Sequence, residues 1–200
     1  LKHKLWIMSD EVWADIIYSD NDFCSVASIS PEIASRTFTI YGFSKGYGLA
    51  GLRAGVLICP DVDSSQVVLA QSHADETAYG VSTLSQIAGI AAIELAQDWL
   101  SSFVDHLQQQ RDFAIERLNG FESLSCHSPE GTFVLFPKIT GFDHDATPLV
   151  DELAKHHGIA VVPGSPQFFG PGAAGHIRLS IATSRAILTE GLERLEGRRL

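Results

Sequence analysis

Twelve residues, Gly42-Phe43-Ser44-Lys45-Gly46-Tyr47-Gly48-Leu49-Ala50-Gly51-Leu52-Arg53, join two apolar runs, and four of the twelve are glycine. The run before them, Arg36 to Tyr41, alternates and is rich in β-branched and aromatic side chains. The run after them, Ala54 to Cys59, is continuously apolar and closed by Pro60. Both read as strands, the second as one covered on both faces. The connection leaves barely room for a turn, so the crossover helix of a dinucleotide-binding unit has no place in it. Its glycines instead let the backbone turn tightly beside whatever the loop holds.

Two familiar patterns therefore lose ground. Gly42-Phe43-Ser44-Lys45-Gly46 matches G-x-S-x-G, yet the serine of a nucleophile elbow must open a helix, and here more glycines follow. Asp143 and His176 would complete the chain order of such a hydrolase, but nothing in the sequence ties them to Ser44. Gly46-Tyr47-Gly48-Leu49-Ala50-Gly51 matches G-x-G-x-x-G and leaves Lys45 and Arg53 idle. A third reading uses both cations. A strand delivers Lys45 into a glycine-rich turn, Arg53 follows eight residues later, and Ser9-Asp10-Glu11 ends an earlier apolar run. These are the parts that hold pyridoxal phosphate: Lys45 for the imine, Arg53 and Ser44 for the phosphate, Asp10 for the ring nitrogen. Singly, each has a plainer reading as a surface cation or a strand-end acid; jointly they favour the cofactor.

The bulk properties are compatible with that chemistry. The chain has 200 residues, 45% apolar and 19% charged, and a formal charge of -10. It can bury a core, and without a basic face it is a poor partner for nucleic acid or anionic lipid. No apolar stretch approaches the ~20 residues of a membrane span, and Leu1-Lys2-His3-Lys4 does not open a signal peptide, so a cytoplasmic protein is expected. Cys24, Cys59 and Cys126 are odd in number and widely spaced, which argues for buried thiols in a reducing compartment. No histidine pair has zinc spacing, and no metal is expected.

Along the chain, Leu5 to Met8 reads as a first strand. Helical spacing follows from Ser64 to His73 and from Ser82 to Gln97, then an amphipathic helix from Ser101 to Leu118 ended by Asn119-Gly120. Beyond it, Thr132 to Phe136, Ile159 to Val162 and His176 to Ile181 read as strands. Helices are expected from Pro148 to His157, with His156 and His157 at its C-terminus, and from Ser184 to Glu196, with Ser184 or Thr183 as N-cap. The chain thus divides into residues 1–97, part of an α/β domain, and residues 98–200, a smaller α+β domain. A strand almost at residue one leaves an apolar edge and face uncovered, as in the C-terminal part of a longer polypeptide.

Ser9-Asp10-Glu11, Phe43-Ser44-Lys45 and Gly51-Leu52-Arg53-Ala54-Gly55 together resemble the cofactor signature of the fold-type I pyridoxal-phosphate enzymes, in the class I/II aminotransferase group. Val161-Val162-Pro163-Gly164-Ser165, Phe168-Phe169-Gly170 and Gly175-His176-Ile177-Arg178-Leu179-Ser180 resemble that family's small-domain segment. The resemblance implies a mixed large-domain sheet plus a small α+β domain, and the C-terminal half or so of a family member. It implies transfer of an amino group between an amino acid and a 2-oxo acid, with Arg178 holding the substrate α-carboxylate. It leaves open a C–S β-lyase or cyclase of the same fold, and a non-catalytic half-length lobe. Trp13 stands where many relatives place a tyrosine against the ring oxygen, and Gly42 where some place a phosphate-binding hydroxyl. A homodimer is implied as well, with Tyr79 and Ser82 in a segment similar to one that approaches the partner's cofactor.

Overall fold

The computed structural model describes residues 2–73 and 80–196, so Tyr79 lies outside the described residues. The chain forms two compact units, Leu1–Val104 and Asp105–Leu200.

In the first unit a three-stranded sheet has the order β1 (Ile7–Asp10), β2 (Thr37–Gly42), β3 (Gly55–Ile58). β1 and β2 run parallel, Asp10 opposite Ile40; β2 and β3 run antiparallel, Gly42 opposite Gly55. Pairing is antiparallel because the glycine-rich connection holds only one helical turn, α2 (Phe43–Gly46), and a 3₁₀ turn, Ala50–Leu52. A short helix α1 (Pro31–Ala34) precedes β2, its N-terminus capped by the Ser30 hydroxyl, which accepts from Ile33 N–H. α3 (Val62–Ser72) starts at Asp61, whose carboxylate accepts from the Ser64 amide at 2.6 Å and is held below the usual carboxylate range by that bond. α4 (Thr83–Leu95) follows, Ser82 being its N-cap residue without a side-chain bond. α4 packs on the sheet end through Ala92 and Gly89, the latter against the Phe43 ring.

β3 departs from expectation. The sequence places it under cover on both faces, whereas all four of its residues are exposed. Its apolarity is real; cover for it is not supplied within this unit. Apolar runs report the tendency to be buried, and a strand at a sheet edge can show that tendency without satisfying it.

Helix α5 (Gln97–Asn119) carries the chain across the boundary between the units. In the second unit β4 (Leu124–Ser125) pairs with β6 (Lys138–Ile139), and β5 (Val134–Leu135), β8 (Ile177–Ser180) and β7 (Val162–Pro163) form an antiparallel sheet in that order. α6 (Thr147–His157) ends at Gly158, φ +62°, whose N–H returns to Leu153 O, the left-handed stop that the sequence suggests. A short α7 (Pro166–Phe169) leads towards β8, and α8 (Arg185–Glu196) is capped by Ser184, whose hydroxyl accepts from Ile187 N–H. Leu107, Ala114 and Leu118 of α5 and Leu188, Leu192 and Leu195 of α8 are buried with Leu135, Ile177 and Ile181 in this unit's core. No single helix among the described residues is long and apolar enough to cross a membrane.

Candidate active site

Asp10 ends β1, Lys45 lies in α2 directly after β2, and Arg53 lies just before β3 starts back. Because β3 is antiparallel to β2, the end of one strand and the start of the other coincide, and Asp10, distant in sequence, shares one end of the sheet with Lys45 and Arg53. In open α/β sheets, ligands bind at the carboxyl ends of the strands.

Asp10 is exposed, and its Oδ1 accepts from the Val12 amide at 3.2 Å, an Asx turn that fixes the carboxylate against the backbone. The neighbouring Glu11 is buried and satisfied: it accepts from Ser9 Oγ at 2.9 Å, Ser25 Oγ at 2.9 Å and the Val26 amide at 3.2 Å. That carboxylate ties the end of β1 to the Val26–Ser28 turn, so Asp10 projects from a clamped backbone. The Glu11 amide in turn donates to Ile40 O, extending the sheet to the residue after Asp10.

Lys45 is half-buried, with Nζ 5.0 Å from the centroid of the Trp13 ring. An ammonium over an indole face is attracted by the ring quadrupole. Ser44 beside it is half-buried. Arg53 is exposed and takes the left-handed backbone conformation, φ +52°. Among the described residues neither Lys45 nor Arg53 forms an ion pair with a carboxylate, whereas Arg111, Arg117, Lys138, Lys155 and Arg194 all do. The turn therefore offers two cations and a hydroxyl with no acid among the described residues paired to either cation. That set suits an anionic ligand that also carries a carbonyl.

Arg178 belongs to the second unit. It sits on β8 opposite Val162, half-buried, its guanidinium carbon 5.8 Å from the Phe169 ring centroid. Phe169 meets Phe136 at 5.5 Å between centroids, and Phe136 stacks on the His176 ring at 4.9 Å. His176 is thus engaged in an aromatic stack, its Nδ1 3.0 Å from Ala174 O, and Asp143 pairs with Lys138 at 3.1 Å. Neither has the contacts of a hydrolase triad member. A cavity of about 290 Å³ in this unit, lined by Leu135, Ile159, Leu179, Ile181 and Leu192 among others, contains none of the predicted residues.

The motif reading passes over a polar chain beneath the lysine turn. Tyr41 donates its hydroxyl to Asp15 Oδ2 at 2.9 Å, and Gln97 Nε2 donates to the Tyr47 hydroxyl at 3.0 Å. Burial raises the Asp15 carboxyl above its ordinary range, opposed by the Tyr41 bond; burial, Asp15 and Tyr47 together push the Tyr41 phenol up. Asp15 and Tyr41 are 26 residues apart, so no spacing rule connects them.

Sequence comparison agrees with the geometry. The aminotransferase class I and II family matches residues 1–195, and the chain belongs to it. It is 32% identical over 206 residues to an aspartate aminotransferase of Rhizobium meliloti, and 35% identical over 195 residues to that of Thermotoga maritima. Each alignment covers 98% of this chain and 48% of the relative. The solved aromatic aminotransferase of Pyrococcus horikoshii OT3 superposes with a TM-score of 0.83 at 30% identity, over 98% of this chain and 51% of that one. The chain thus has the mixed α/β fold expected of the fold-type I class, and spans about half the length of the relatives it matches.

Proposed function

We propose that this chain carries the lysine-bearing part of a pyridoxal-phosphate-dependent aminotransferase, which moves an amino group between an amino acid and a 2-oxo acid. The observation that carries the proposal is the gathering of Asp10, Lys45 and Arg53 at one sheet end, the two cations having no carboxylate partner among the described residues. Those groups fit the cofactor's three polar features, an aldehyde, a phosphate and a basic ring nitrogen. Bound there, pyridoxal phosphate supplies an electron sink that weakens the bonds at an amino acid's Cα.

The chain's own residues supply the rest. Lys45 Nζ is the covalent anchor and the base that takes a proton from the substrate Cα. Asp10 holds a proton on the ring nitrogen by a charge-assisted hydrogen bond, and Arg53 with Ser44 binds the phosphate. The Trp13 indole can donate one hydrogen bond and cannot titrate, so it positions rather than transfers protons. Arg178 offers a planar fork to the substrate α-carboxylate, which orients the bond to be broken. The relatives reported above are named aminotransferases, which favours transfer over β-elimination. A cytoplasmic homodimer is the setting we infer, supported by the family likeness and by the apolar surface of the first unit.

The test is to mix the protein with pyridoxal phosphate, reduce with borohydride and locate the label by mass spectrometry. Labelling confined to Lys45 is expected, abolished in Lys45→Ala. Arg178→Ala should keep the label and weaken amino-acid binding on the order of 100-fold, the scale of a lost bidentate ion pair. Random labelling of surface lysines would favour the non-catalytic lobe.

A further inference from the structure

We propose that Asp15 is a positioning residue for Lys45: its carboxylate, set between the Tyr41 hydroxyl and the Gly46 backbone, fixes the turn that presents the amine. The proposal rests on the reading of Lys45 as the cofactor amine, and concerns how that amine is held.

The geometry runs from the backbone outward. Lys45 lies in a single helical turn, Phe43–Gly46, and the loop behind it is closed by Leu49 N–H donating to Phe43 O at 3.1 Å. One turn of helix is marginal by itself. Something else must keep it in place, and two supports are visible. Below, the Phe43 ring meets Tyr41 edge-on at 5.7 Å and Tyr47 at 6.2 Å between centroids, with Tyr47 tied to Gln97. Alongside, Asp15 lies against Gly46 so closely that a Cβ there would stand 2.7 Å from Asp15 Oδ2 and 2.8 Å from its Cβ. Gly46 has no need of a left-handed backbone, since its φ is not positive. Glycine is required at this place because the carboxylate occupies the space of a side chain.

Asp15 is held from the other side by Tyr41, in the last part of β2, two residues before the turn begins. The carboxylate therefore bridges the strand that leads into the turn and the residue that follows the lysine. Asp15 also lies two residues after Trp13, the ring beneath Lys45 Nζ, so one short segment contacts both the turn and the amine. A residue acting this way influences cofactor attachment through Lys45 rather than by touching the cofactor.

The experiment uses the whole chain in four forms: wild type, Asp15→Asn, Asp15→Ala and Tyr41→Phe. Two readouts are taken, the rate of Lys45 labelling by pyridoxal phosphate and borohydride, and hydrogen exchange at the Leu49 amide, with the β5–β8 amides as a folding control. Asp15→Asn keeps the shape and an acceptor for Tyr41, and should retain both wild-type values. Asp15→Ala and Tyr41→Phe should each speed Leu49 exchange at least ~10-fold and slow Lys45 labelling by a similar factor, leaving the β5–β8 amides unchanged. Their double variant should be no worse than either alone, since both remove one interaction. Wild-type labelling and exchange in Asp15→Ala would overturn the proposal, as would full additivity in the double variant. Absence of a Lys45 label in the wild type would instead refute the cofactor reading, while the Leu49 exchange would still decide whether Asp15 fixes the turn.

Discussion

The two units are nearly equal in length and unlike in how they are held together. Among the described residues, five apolar side chains are buried in the first unit and seventeen in the second; eighteen large apolar side chains are exposed in the first and four in the second. In the second unit α5, α6 and α8 bring leucines onto a small sheet, and packing does the work. In the first, α4 leaves Leu84, Ile87, Ile90 and Ile93 exposed along one stripe, and β3 adds Val56, Leu57 and Ile58. Contiguous apolar surface of that kind marks a contact site rather than a finished exterior. Near Lys45 the first unit joins a small aromatic cluster, Phe43 with Tyr47, to discrete polar clamps, Glu11 on Ser9, Ser25 and Val26, and Asp15 on Tyr41. One unit is secured mainly by volume; the other adds a few directed bonds at the sheet end that carries Lys45.

That contrast can be broken by substitution. Leu118→Ala or Ile177→Ala, both fully buried in the second unit, should cost about 2–5 kcal/mol, read from hydrogen-exchange protection of that unit's amides. A cost under ~1 kcal/mol would mean that the core is looser than it looks. Leu84→Gln with Ile90→Gln in the first unit should weaken self-association, read by sedimentation, while changing the stability of the dissociated chain by no more than ~0.5 kcal/mol. Unchanged self-association would show that the stripe is not the contact between copies. The smallest effect lies with the thiols. Exposed Cys24 should alkylate first and buried Cys126 last, because burial pushes the Cys126 thiol from 9.0 up to about 11. The stabilisation from keeping that thiol neutral is present below pH 9.0 and is lost as pH rises through about 11, so the second unit should weaken in that window while Cys126→Ser does not.

The placement of the candidate site residues was legible from sequence because they sit at strand ends, where a short motif fixes their backbone neighbours. Asp10, Lys45 and Arg53 needed only β1, β2 and a tight return to be brought to one end of the sheet. Helix limits were read within a few residues where caps were present, as at Ser184 and Gly158. The clamps were not legible: Tyr41 to Asp15 and Ser25 to Glu11 join residues whose nearness depends on the finished fold. β4 and β6 are two residues each, too short for any alternation to register. β3 was read correctly as a strand and wrongly as covered, since hydropathy states a preference and says nothing of who meets it.

Arg53 invites a different kind of reading. A left-handed backbone costs an ordinary residue about 1 kcal/mol or more, and glycine next to nothing. At φ +52° this position is one that the main chain alone would give to glycine, in a loop already rich in it. Substituting glycine would relax the fold and delete the guanidinium in one step. Under the phosphate role proposed for Arg53, stability and ligand capture pull in opposite directions at this residue, and a screen for thermal tolerance would select against that side chain.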